Sequence, residues 1–361
     1  MLESFTFMPE STIPQESLKP ILTWSNSPRL HTLVLDISFH VLDQLVFPWH
    51  QIQHLTMENI DVNEMHLALR LSTSIVSATF NYCINEFSFR DPIPYTCSLL
   101  TSLTIRANRR LETLGPDITH CVFPFLQTLS ITGGLEEFSF SHGIVPCITA
   151  LIIRSGCHLT SLTLHGVSYN SKLLMELLQA VSPSLTKLDL CDVDHRAWNF
   201  LQMDLWLLMT LIWVPTSTPW EDEAHTHTFT SPGQMLPYLR EFGIRTPSPS
   251  SARRDLTSHD KIEVVVKIVE SRFEHPESHT PNNQDNTNNM NTQNQNTQNT
   301  PNSPNTLNPN TPNHVLPSPA THTGTVLKQI HLGRLWAARI PDKLTQRLRA
   351  LEDAGLKISA L

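Results

Sequence analysis

A short apolar phrase recurs along this chain, and it limits the available folds more than any other feature of the sequence. In each copy, a second apolar residue follows the first after three positions, and a third follows after two more. The clear copies are Leu30, Leu33, Leu35; Ile52, Leu55, Met57; Leu100, Leu103, Ile105; Leu126, Leu129, Ile131; Leu159, Leu162, Leu164; and Leu185, Leu188, Leu190. Weaker copies are Leu2, Phe5, Phe7; Ile75, Ala78, Phe80; Leu208, Leu211, Trp213; Leu239, Phe242, Ile244; and Leu327, Ile330, Leu332.

The spacing within the phrase predicts a short buried strand. The second and third apolar residues lie two positions apart, so they point to the same face of an extended chain. One such unit cannot bury that face alone, so several units must stack side by side. Between Leu30 and Leu185 the phrases start 22 to 33 residues apart. This spacing is typical of leucine-rich repeats, which have ~20–29 residues and some longer members.

Between the phrases, the hydrophobic period changes from two residues to about 3.6, which predicts helices. Three stretches have this pattern: 173–181, 262–273 and 344–351. Pro341 precedes the third stretch and Gly355 follows it, as expected for the first turn and the C-terminal cap of a helix. One strand and one helix per unit predict an α/β leucine-rich-repeat solenoid. In this fold a curved parallel sheet lines the concave side and helices cover the convex side.

The segment 135–156 is open to two readings. A phrase-like pattern at Leu135, Phe138 and Phe140 is compatible with a further strand. The apolar residues between 148 and 154 are compatible with the helix before the next strand.

The composition divides the chain into three predicted parts. Residues 1–275 are predicted to form the solenoid, and residues 324–361 its C-terminal repeat and cap. Residues 276–323 are predicted to be a disordered insert, because 14 asparagines lie between 282 and 313 among Thr, Pro, Gln and Ser. A segment with so few apolar side chains cannot offset the entropy cost of ordering.

The charge balance argues against nucleic acid as the partner. The net charge is −8, and only 16% of the residues are charged, whereas phosphate binding needs a surplus of Lys and Arg. None of the 11 glycines lies in a Gly-rich phosphate loop. The sequence therefore disfavours the common nucleotide-binding enzymes, and no cofactor is expected.

Membrane insertion is not expected either. The longest apolar run, 205–214, is shorter than the ~20 residues that a spanning helix needs. The first ten residues contain Glu3 and Glu10 and lack the basic start of a secretory signal. Six cysteines are scattered without a CxxC pair. These features favour an intracellular protein, cytoplasmic or nuclear, in a reducing compartment.

No arrangement typical of catalysis is found in the sequence. Walker, HExxH and G-x-S-x-G motifs are all lacking, so no catalytic residue and no metal ligand are assigned. The best metal candidate is the acidic and histidine-containing segment 221–227, which lies among prolines and is expected to be a solvated loop. Cys157 and His158 are adjacent, so on an extended segment they point to opposite faces and do not form a catalytic pair.

The concave surface is the better functional candidate. Residues between and just after the buried leucines are expected to face outward in rows that contact a protein ligand. The middle row is Val34, Thr56, Thr79, Thr104, Ser130, Thr163, Asp189, and the following row is Asp36, Glu58, Asn81, Arg106, Thr132, His165, Cys191. The residues predicted to bind the ligand are Asp36, Glu58, Asn81, Arg106, Thr132, His165 and Asp189.

Three phrases resemble a known family. The stretches 155–164, 182–190 and 351–358, which read SGCHLTSLTL, SPSLTKLDL and LEDAGLKI, are similar to the degenerate leucine-rich repeats of the large fungal F-box protein family. The resemblance covers most of the chain outside the insert. It implies a repeat domain that binds a substrate for a cullin–RING ubiquitin ligase. The family also has an N-terminal F-box, and no F-box helices are expected before the first phrase at Leu2.

The sequence thus predicts a non-enzymatic protein-binding leucine-rich-repeat module, and the resemblance implies that it is the substrate-recognition part of an F-box-type ubiquitin ligase subunit. Its partner would be a protein, and a cullin–RING ligase adaptor would be a second partner only if an F-box lies upstream. Two alternatives stay open: a metal-dependent enzyme that uses segment 221–227, and a gene fragment without retained function.

Overall fold

The structure is a computed structural model of the 361-residue chain. It describes residues 2–7, 27–36, 42, 47–83, 94–107, 118–133, 144–167, 171–191, 235–245, 258–273, 327–332 and 342–360. Several sequence predictions fall outside the described residues: the phrases at Leu135 and Leu208, the apolar run 205–214, the segment 221–227 and the insert 276–323.

The described strands are short, and most of them join one sheet. In chain order they are β1 Ser4–Phe7, β2 Thr32–Asp36, β3 His54–Glu58, β4 Ser77–Cys83, β5 Tyr95–Thr96, β6 Ser102–Ala107, β7 Cys121–Val122, β8 Thr128–Thr132, β9 Ser161–His165, β10 Lys187–Cys191, β11 Glu241–Arg245, β12 Gln329–Leu332 and β13 Lys357–Ala360. Eleven of them form one sheet in chain order, and the remaining two, β5 and β7, pair with each other. Every pair of neighbours in these two sheets is parallel.

The apolar phrases occupy equivalent positions in the large sheet. Leu162 of β9, for example, is in register with Leu129 of β8 and with Leu188 of β10. The third residues of the phrases form a second line, in which Leu164 faces Ile131 and Leu190. These side chains are almost completely buried and belong to one continuous core. The prediction of an α/β fold with stacked parallel strands is confirmed.

A hydrogen-bond pattern recurs where the strands begin. The carbonyl oxygen of Gln127 accepts bonds from the N–H groups of Thr160 at 2.8 Å and Ser161 at 3.0 Å. The carbonyl of Thr160 accepts from Thr186 at 2.9 Å and Lys187 at 3.0 Å in the same way. Two N–H groups of the next strand also bond the carbonyls of Glu3, His31, Gln53, Val76, Thr101, Thr186 and Arg240. This pattern fixes the register of each strand on the one before it.

Five described helices connect the strands. They are α1 Val62–Leu71, α2 Ile144–Ser155, α3 Ser171–Val181, α4 Ser258–Phe273 and α5 Asp342–Asp353. The helices predicted at 173–181, 262–273 and 344–351 are confirmed as α3, α4 and α5, and the helix within 148–154 is confirmed as part of α2. Gly355 follows α5 with a φ of +107°, which agrees with its predicted place beyond the helix end.

The sequence analysis missed α1, although its start carries a recognisable signal. The Glu64 backbone N–H donates to Asp61 Oδ1 at 2.7 Å, and the Asp61 N–H donates to Glu64 Oε2 at 3.1 Å. This is a reciprocal capping box, which satisfies two N–H groups that the first turn leaves without helical partners. The Asp61-x-x-Glu64 spacing would have predicted the helix.

Two arginines fasten helices to the chain that enters the sheet. Arg154, the penultimate residue of α2, donates to the carbonyl of Cys121 at 2.7 Å and to that of Ile118 at 3.3 Å. Arg272, the penultimate residue of α4, donates to the carbonyls of Leu236 at 2.7 Å and Met235 at 2.6 Å. Burial lowers the pKa of Arg272 to about 10. Arg154 thus ties α2 to β7 and the turn before it, and Arg272 ties α4 to the residues before β11.

The last two strands continue the sheet beyond the 276–323 gap. β12 pairs with β11, and β13 pairs with β12. The helices on either side of the gap are also linked, because Arg347 Nε of α5 donates to Glu270 Oε1 of α4 at 2.6 Å. Among the described residues, no helix combines the length and hydrophobicity that crossing a bilayer requires.

Candidate functional site on the polar face of the sheet

The side of the large sheet opposite the phrase residues carries polar side chains in three rows, which we call the polar face. The first row is Thr32, His54, Ser77, Ser102, Thr128, Ser161, Lys187, Glu241, Gln329, Lys357. The middle row is Val34, Thr56, Thr79, Thr104, Ser130, Thr163, Asp189, Gly243, His331, Ser359. The last row is Asp36, Glu58, Asn81, Arg106, Thr132, His165, Cys191.

All seven residues predicted to bind a ligand lie on this face. Six of them, Asp36, Glu58, Asn81, Arg106, Thr132 and His165, are neighbours in the last row. Asp189 lies in the middle row, and Cys191 takes the place next to His165. The row alignment read from the sequence therefore agrees with the strand register. Ligand binding by these residues stays a prediction.

Two of the predicted residues differ from the others in exposure. Asn81 is only 8% exposed and Asp189 only 6%, whereas Arg106 is exposed. The alternation of the sequence predicted outward side chains at both positions, and it could not show that neighbouring polar groups would cover them. For Asn81 that neighbour is Glu58, whose Oε1 accepts a bond from Asn81 Nδ2 at 3.1 Å.

Hydroxyl side chains fill the centre of the polar face. In the first and middle rows, β4, β6, β8 and β9 carry only serine and threonine: Ser77, Thr79, Ser102, Thr104, Thr128, Ser130, Ser161 and Thr163. All eight are partly exposed. Charged residues lie on either side of this central area. Hydroxyl groups both donate and accept hydrogen bonds, so the centre suits many polar ligands and selects no charge.

At one end of the last row, two carboxylates lie on adjacent strands. Asp36 and Glu58 are in register, and each accepts a hydrogen bond from an asparagine. Asn59 Nδ2 donates to Asp36 Oδ1 at 2.7 Å, as Asn81 does to Glu58. Asn59 has a φ of 55°, a left-handed conformation that asparagine tolerates better than most residues. We call Asp36 and Glu58 the acidic pair.

Towards the other end of the polar face, the side chain of Asp189 in the middle row contacts His165 in the last row. His165 Nε2 and Asp189 Oδ2 are 3.3 Å apart. The carboxylate extends over the next strand, where a Cβ at Gly243 would be 2.5 Å from Asp189 Oδ1. The carboxylate therefore needs a glycine at position 243. In the row beside it, Lys187 Nζ and Glu241 Oε2 form an ion pair at 2.9 Å.

A serine and a histidine meet on the last two strands, but they are not arranged as a nucleophile and its base. Gln329 Nε2 is 2.8 Å from His331 Nε2, and Ser359 Oγ is 2.5 Å from His331 Nδ1. With the amide nitrogen of Gln329 facing Nε2, the His331 tautomer that satisfies both contacts carries its proton on Nδ1. Nδ1–H then donates to Ser359 Oγ and cannot remove its proton. This geometry disfavours acyl transfer at Ser359.

A second polar cluster, which the sequence analysis missed, lies in the core beside α1. His66 Nδ1 is 2.8 Å from the Tyr95 hydroxyl and 3.8 Å from Cys121 Sγ. Burial lowers the pKa of His66 to about 4 and raises that of Cys97 to about 12. Burial also raises the pKa of Tyr95 well above its usual value. His66, Tyr95 and Cys97 are therefore neutral at physiological pH, and Cys97 offers no thiolate nucleophile.

Neither Cys147 nor Cys157 has the features of a reactive thiol. Burial raises the pKa of both Cys147 and Cys157, and no contact joins the Cys157 thiol to His158 in the described part of the chain. No group of three or more His, Cys, Asp or Glu side chains in that part is arranged to hold a metal ion.

Comparison of the chain with protein-family models, curated proteins and solved structures finds no match.

Proposed function

We propose that the large sheet is the inner wall of a leucine-rich-repeat solenoid, and that the protein binds another protein through the polar face. The observation that carries this proposal is the register of the eleven strands. Because the strands lie side by side in chain order, the polar residues of short, scattered sequence segments form one continuous surface. Solenoid proteins commonly use such extended concave surfaces for binding.

The size of the polar face fits a protein ligand. Nine steps of ~4.8 Å between the ten strands that carry the first two rows give a length of about 43 Å, and three rows spaced two residues apart give a width of ~13 Å where the last row is present. The resulting area, at most about 560 Å² before side-chain relief is counted, is of the same order as the ~800 Å² per partner of a standard interface. A small-molecule site would instead be a closed cleft with converging polar groups.

The chemistry of the face favours binding over catalysis. Its centre consists of neutral hydroxyl groups, and the contacts of His331 with Gln329 and Ser359 fit a tautomer that does not activate the serine. We therefore propose a non-enzymatic module without a cofactor. The six scattered cysteines without a CxxC pair support a reducing compartment inside the cell.

The resemblance to fungal F-box proteins refines the proposal. If it reflects kinship, the bound protein is a substrate for ubiquitination, and a cullin–RING ligase adaptor is a second partner when an F-box accompanies the repeats. The polar face would then select the substrate.

Site-specific photo-cross-linking tests this proposal. The photoreactive residue p-benzoylphenylalanine replaces Ser130 in the centre of the polar face or, as a matched control, the exposed Lys267 of α4. Irradiation in the native cells is expected to give a discrete protein adduct from position 130 and none from position 267. Adding Thr104→Arg to the first variant should remove the adduct, because the long charged side chain obstructs the neighbouring strand. Equal adducts from both positions, or none from position 130, would contradict the proposal.

A further inference from the structure

We infer that two copies of this chain associate through the end strands of the large sheet, with β13 of one copy lying parallel to β1 of the next. The contact joins two different surfaces, so it would link copies head to tail into a ring or a filament. The inference goes beyond the proposed function and does not depend on it.

Each end strand has one edge without a neighbouring strand in the part of the chain that the structure describes. β1 pairs there with β2, and β13 pairs with β12. A strand edge of this kind presents a row of N–H and C=O groups, which is a template for pairing with another chain. The two edges therefore need to be compared for their fit to each other.

The outer edge of β1 carries the backbone groups of Ser4 and Thr6. The Thr32 N–H donates to the carbonyl of Glu3 at 3.3 Å, so the Glu3 carbonyl is on the side of β2. Successive residues of a strand turn their backbone groups to alternate sides, so those of Ser4 and Thr6 point away from β2. The outer edge thus offers two donors and two acceptors.

The outer edge of β13 carries the backbone groups of Ile358 and Ala360. The Lys357 N–H donates to the carbonyl of Lys328 at 3.1 Å, so Lys357 faces β12 and its two neighbours in the alternation face away. In the register of the sheet, β1 of a second copy would add about four hydrogen bonds. These are Ser4 N–H to Leu356, Ile358 N–H to Ser4, Thr6 N–H to Ile358 and Ala360 N–H to Thr6.

This junction would repeat the hydrogen-bond pattern found inside the sheet. At most strand pairs, the carbonyl just before one strand accepts two N–H groups from the start of the next strand. For β13 that carbonyl belongs to Leu356, and the N–H groups that would reach it are those of Glu3 and Ser4 of the second copy. The two edges therefore fit each other without a change in either strand.

Apolar side chains at both ends are incompletely buried, and the junction would cover them. Phe5 and Phe7 of β1 and Ile358 of β13 are partly exposed, although they pack against the core. Phrase residues of interior strands, such as Leu162, are 0% exposed. Phe5 and Ile358 would be direct neighbours at the junction. Burial of their exposed surface would favour association.

The charges at the two edges are opposite. Glu3 beside β1 and Lys357 of β13 are both exposed. The lysines that form ion pairs within the described residues are Lys187 and Lys267. At the junction, Glu3 would be one residue out of step with Lys357, across a strand spacing of about 4.8 Å. Two β1 edges, or two β13 edges, would instead bring like charges together, so the charges favour the pairing of unlike edges.

The contact is small, so the association should be weak. One strand pair with its apolar side chains buries less than the ~800 Å² per partner of a standard interface. Association should therefore increase with the concentration of the chain. The junction would also continue the polar face from one copy to the next, with Lys357 followed by Ser4 and Ser359 followed by Thr6.

Sedimentation velocity of the full chain at increasing concentration tests the inference. Thr6→Pro removes an outward N–H of β1, and Ala360→Pro removes one of β13, and neither takes a donor from the bonds to β2 or β12. Thr6→Val is the matched control, because it keeps the backbone N–H and the shape of the side chain. Circular dichroism and urea unfolding compare the fold of each variant with that of the unmodified chain.

The sedimentation coefficients of the unmodified chain and of Thr6→Val are expected to rise with concentration. Each proline variant alone should associate at least about tenfold more weakly, because every junction loses a hydrogen bond and meets the proline ring. An equimolar mixture of the two proline variants should form a dimer and nothing larger. In this dimer the intact β13 of Thr6→Pro pairs with the intact β1 of Ala360→Pro.

Charge reversal gives a second test that leaves the strands unchanged. Glu3→Lys or Lys357→Glu alone places like charges at every junction and should weaken association. An equimolar mixture of these two variants offers opposite charges at junctions between unlike variants and should restore it. This test decides the question if a proline variant does not fold.

A chain that stays monomeric at every concentration would overturn the inference. Association that folded Thr6→Pro or folded Ala360→Pro leaves unchanged would overturn it too, because pairing of unlike edges requires both. The inference would also fail if the mixture of folded proline variants gave no dimer, or if the mixture of charge variants associated no better than either variant alone.

Discussion

The carboxylate of Asp189 lies so close to the α-carbon of Gly243 on the next strand that a Cβ there would be 2.5 Å from Asp189 Oδ1. Gly243→Ala should therefore displace Asp189 and its contact with His165, at a cost of about 1–3 kcal/mol in the free energy of unfolding. Urea unfolding followed by circular dichroism measures this change.

The Asp189→Ala background provides the control, because it removes the carboxylate that the new methyl group would meet. Gly243→Ala should cost much less there, so the two substitutions should show a coupling energy of about 1 kcal/mol or more. Additive effects of the two substitutions would show that the steric contact does not limit position 243.

Arg154 gives a prediction about how helices are held to the sheet. Arg154→Met keeps the aliphatic stem but removes the donors to the carbonyls of Cys121 and Ile118. The free energy of unfolding should fall by about 1–2 kcal/mol, because the buried carbonyl of Cys121 loses its donor. Hydrogen exchange of the amides from 118 to 123 should accelerate.

The matched control is Arg349→Met on the exposed surface of α5. It should change stability by less than about 0.5 kcal/mol and leave exchange over 118–123 unaltered. Equal effects of the two substitutions would show that the loss of a positive charge, and not the bond to the carbonyl, is responsible.

The sheet could be predicted from the sequence because its signal is local. Each phrase places two apolar residues on one face of a strand, and stacking is the arrangement that buries them, so Leu162 and Leu188 could be assigned to the core. The rows of the polar face followed from the same spacing. The capping box at Asp61 was available in the sequence and was overlooked.

The contacts that give the candidate site its chemistry could not be predicted, because they join residues far apart in the chain. Asp189 and Gly243 are 54 positions apart, and their closeness follows only from the register of β10 and β11. The burial of Asn81 likewise depends on Glu58 of the preceding strand. His66 meets Cys121 across 55 positions, on elements whose packing no phrase specifies.

The contact between Ser359 and His331 predicts that the Ser359 hydroxyl is not an activated nucleophile. If His331 carries its ring proton on Nδ1, as its contact with the Gln329 amide nitrogen implies, Ser359 should not react with a fluorophosphonate probe that labels activated serines. Intact-mass spectrometry of the full chain after exposure to the probe measures labelling, and a serine hydrolase treated in parallel confirms that the probe is active. A covalent adduct mapped to Ser359 would contradict the assigned proton position and support an enzymatic function.

The buried His66 makes stability depend on pH in a defined window. Its pKa is about 4 in the folded chain, below the ordinary value of 6.5, which we take for the unfolded chain. As the pH falls below 6.5, the unfolded chain binds the proton first, so stability decreases until about pH 4 and then stops responding to this group. The loss should be about 2 kcal/mol at pH 5 and about 3 kcal/mol in full.

His66→Gln isolates this contribution from the other titrating groups. Glutamine can still hydrogen-bond to the Tyr95 hydroxyl but does not titrate, so the variant should lose about 2 kcal/mol less than the unmodified chain between pH 7.5 and pH 5. Urea unfolding at the two pH values gives the difference. His54→Gln, at an exposed histidine of β3, serves as the comparison variant. If His66→Gln and His54→Gln behaved alike, His66 would not be a neutral, buried group in the folded chain.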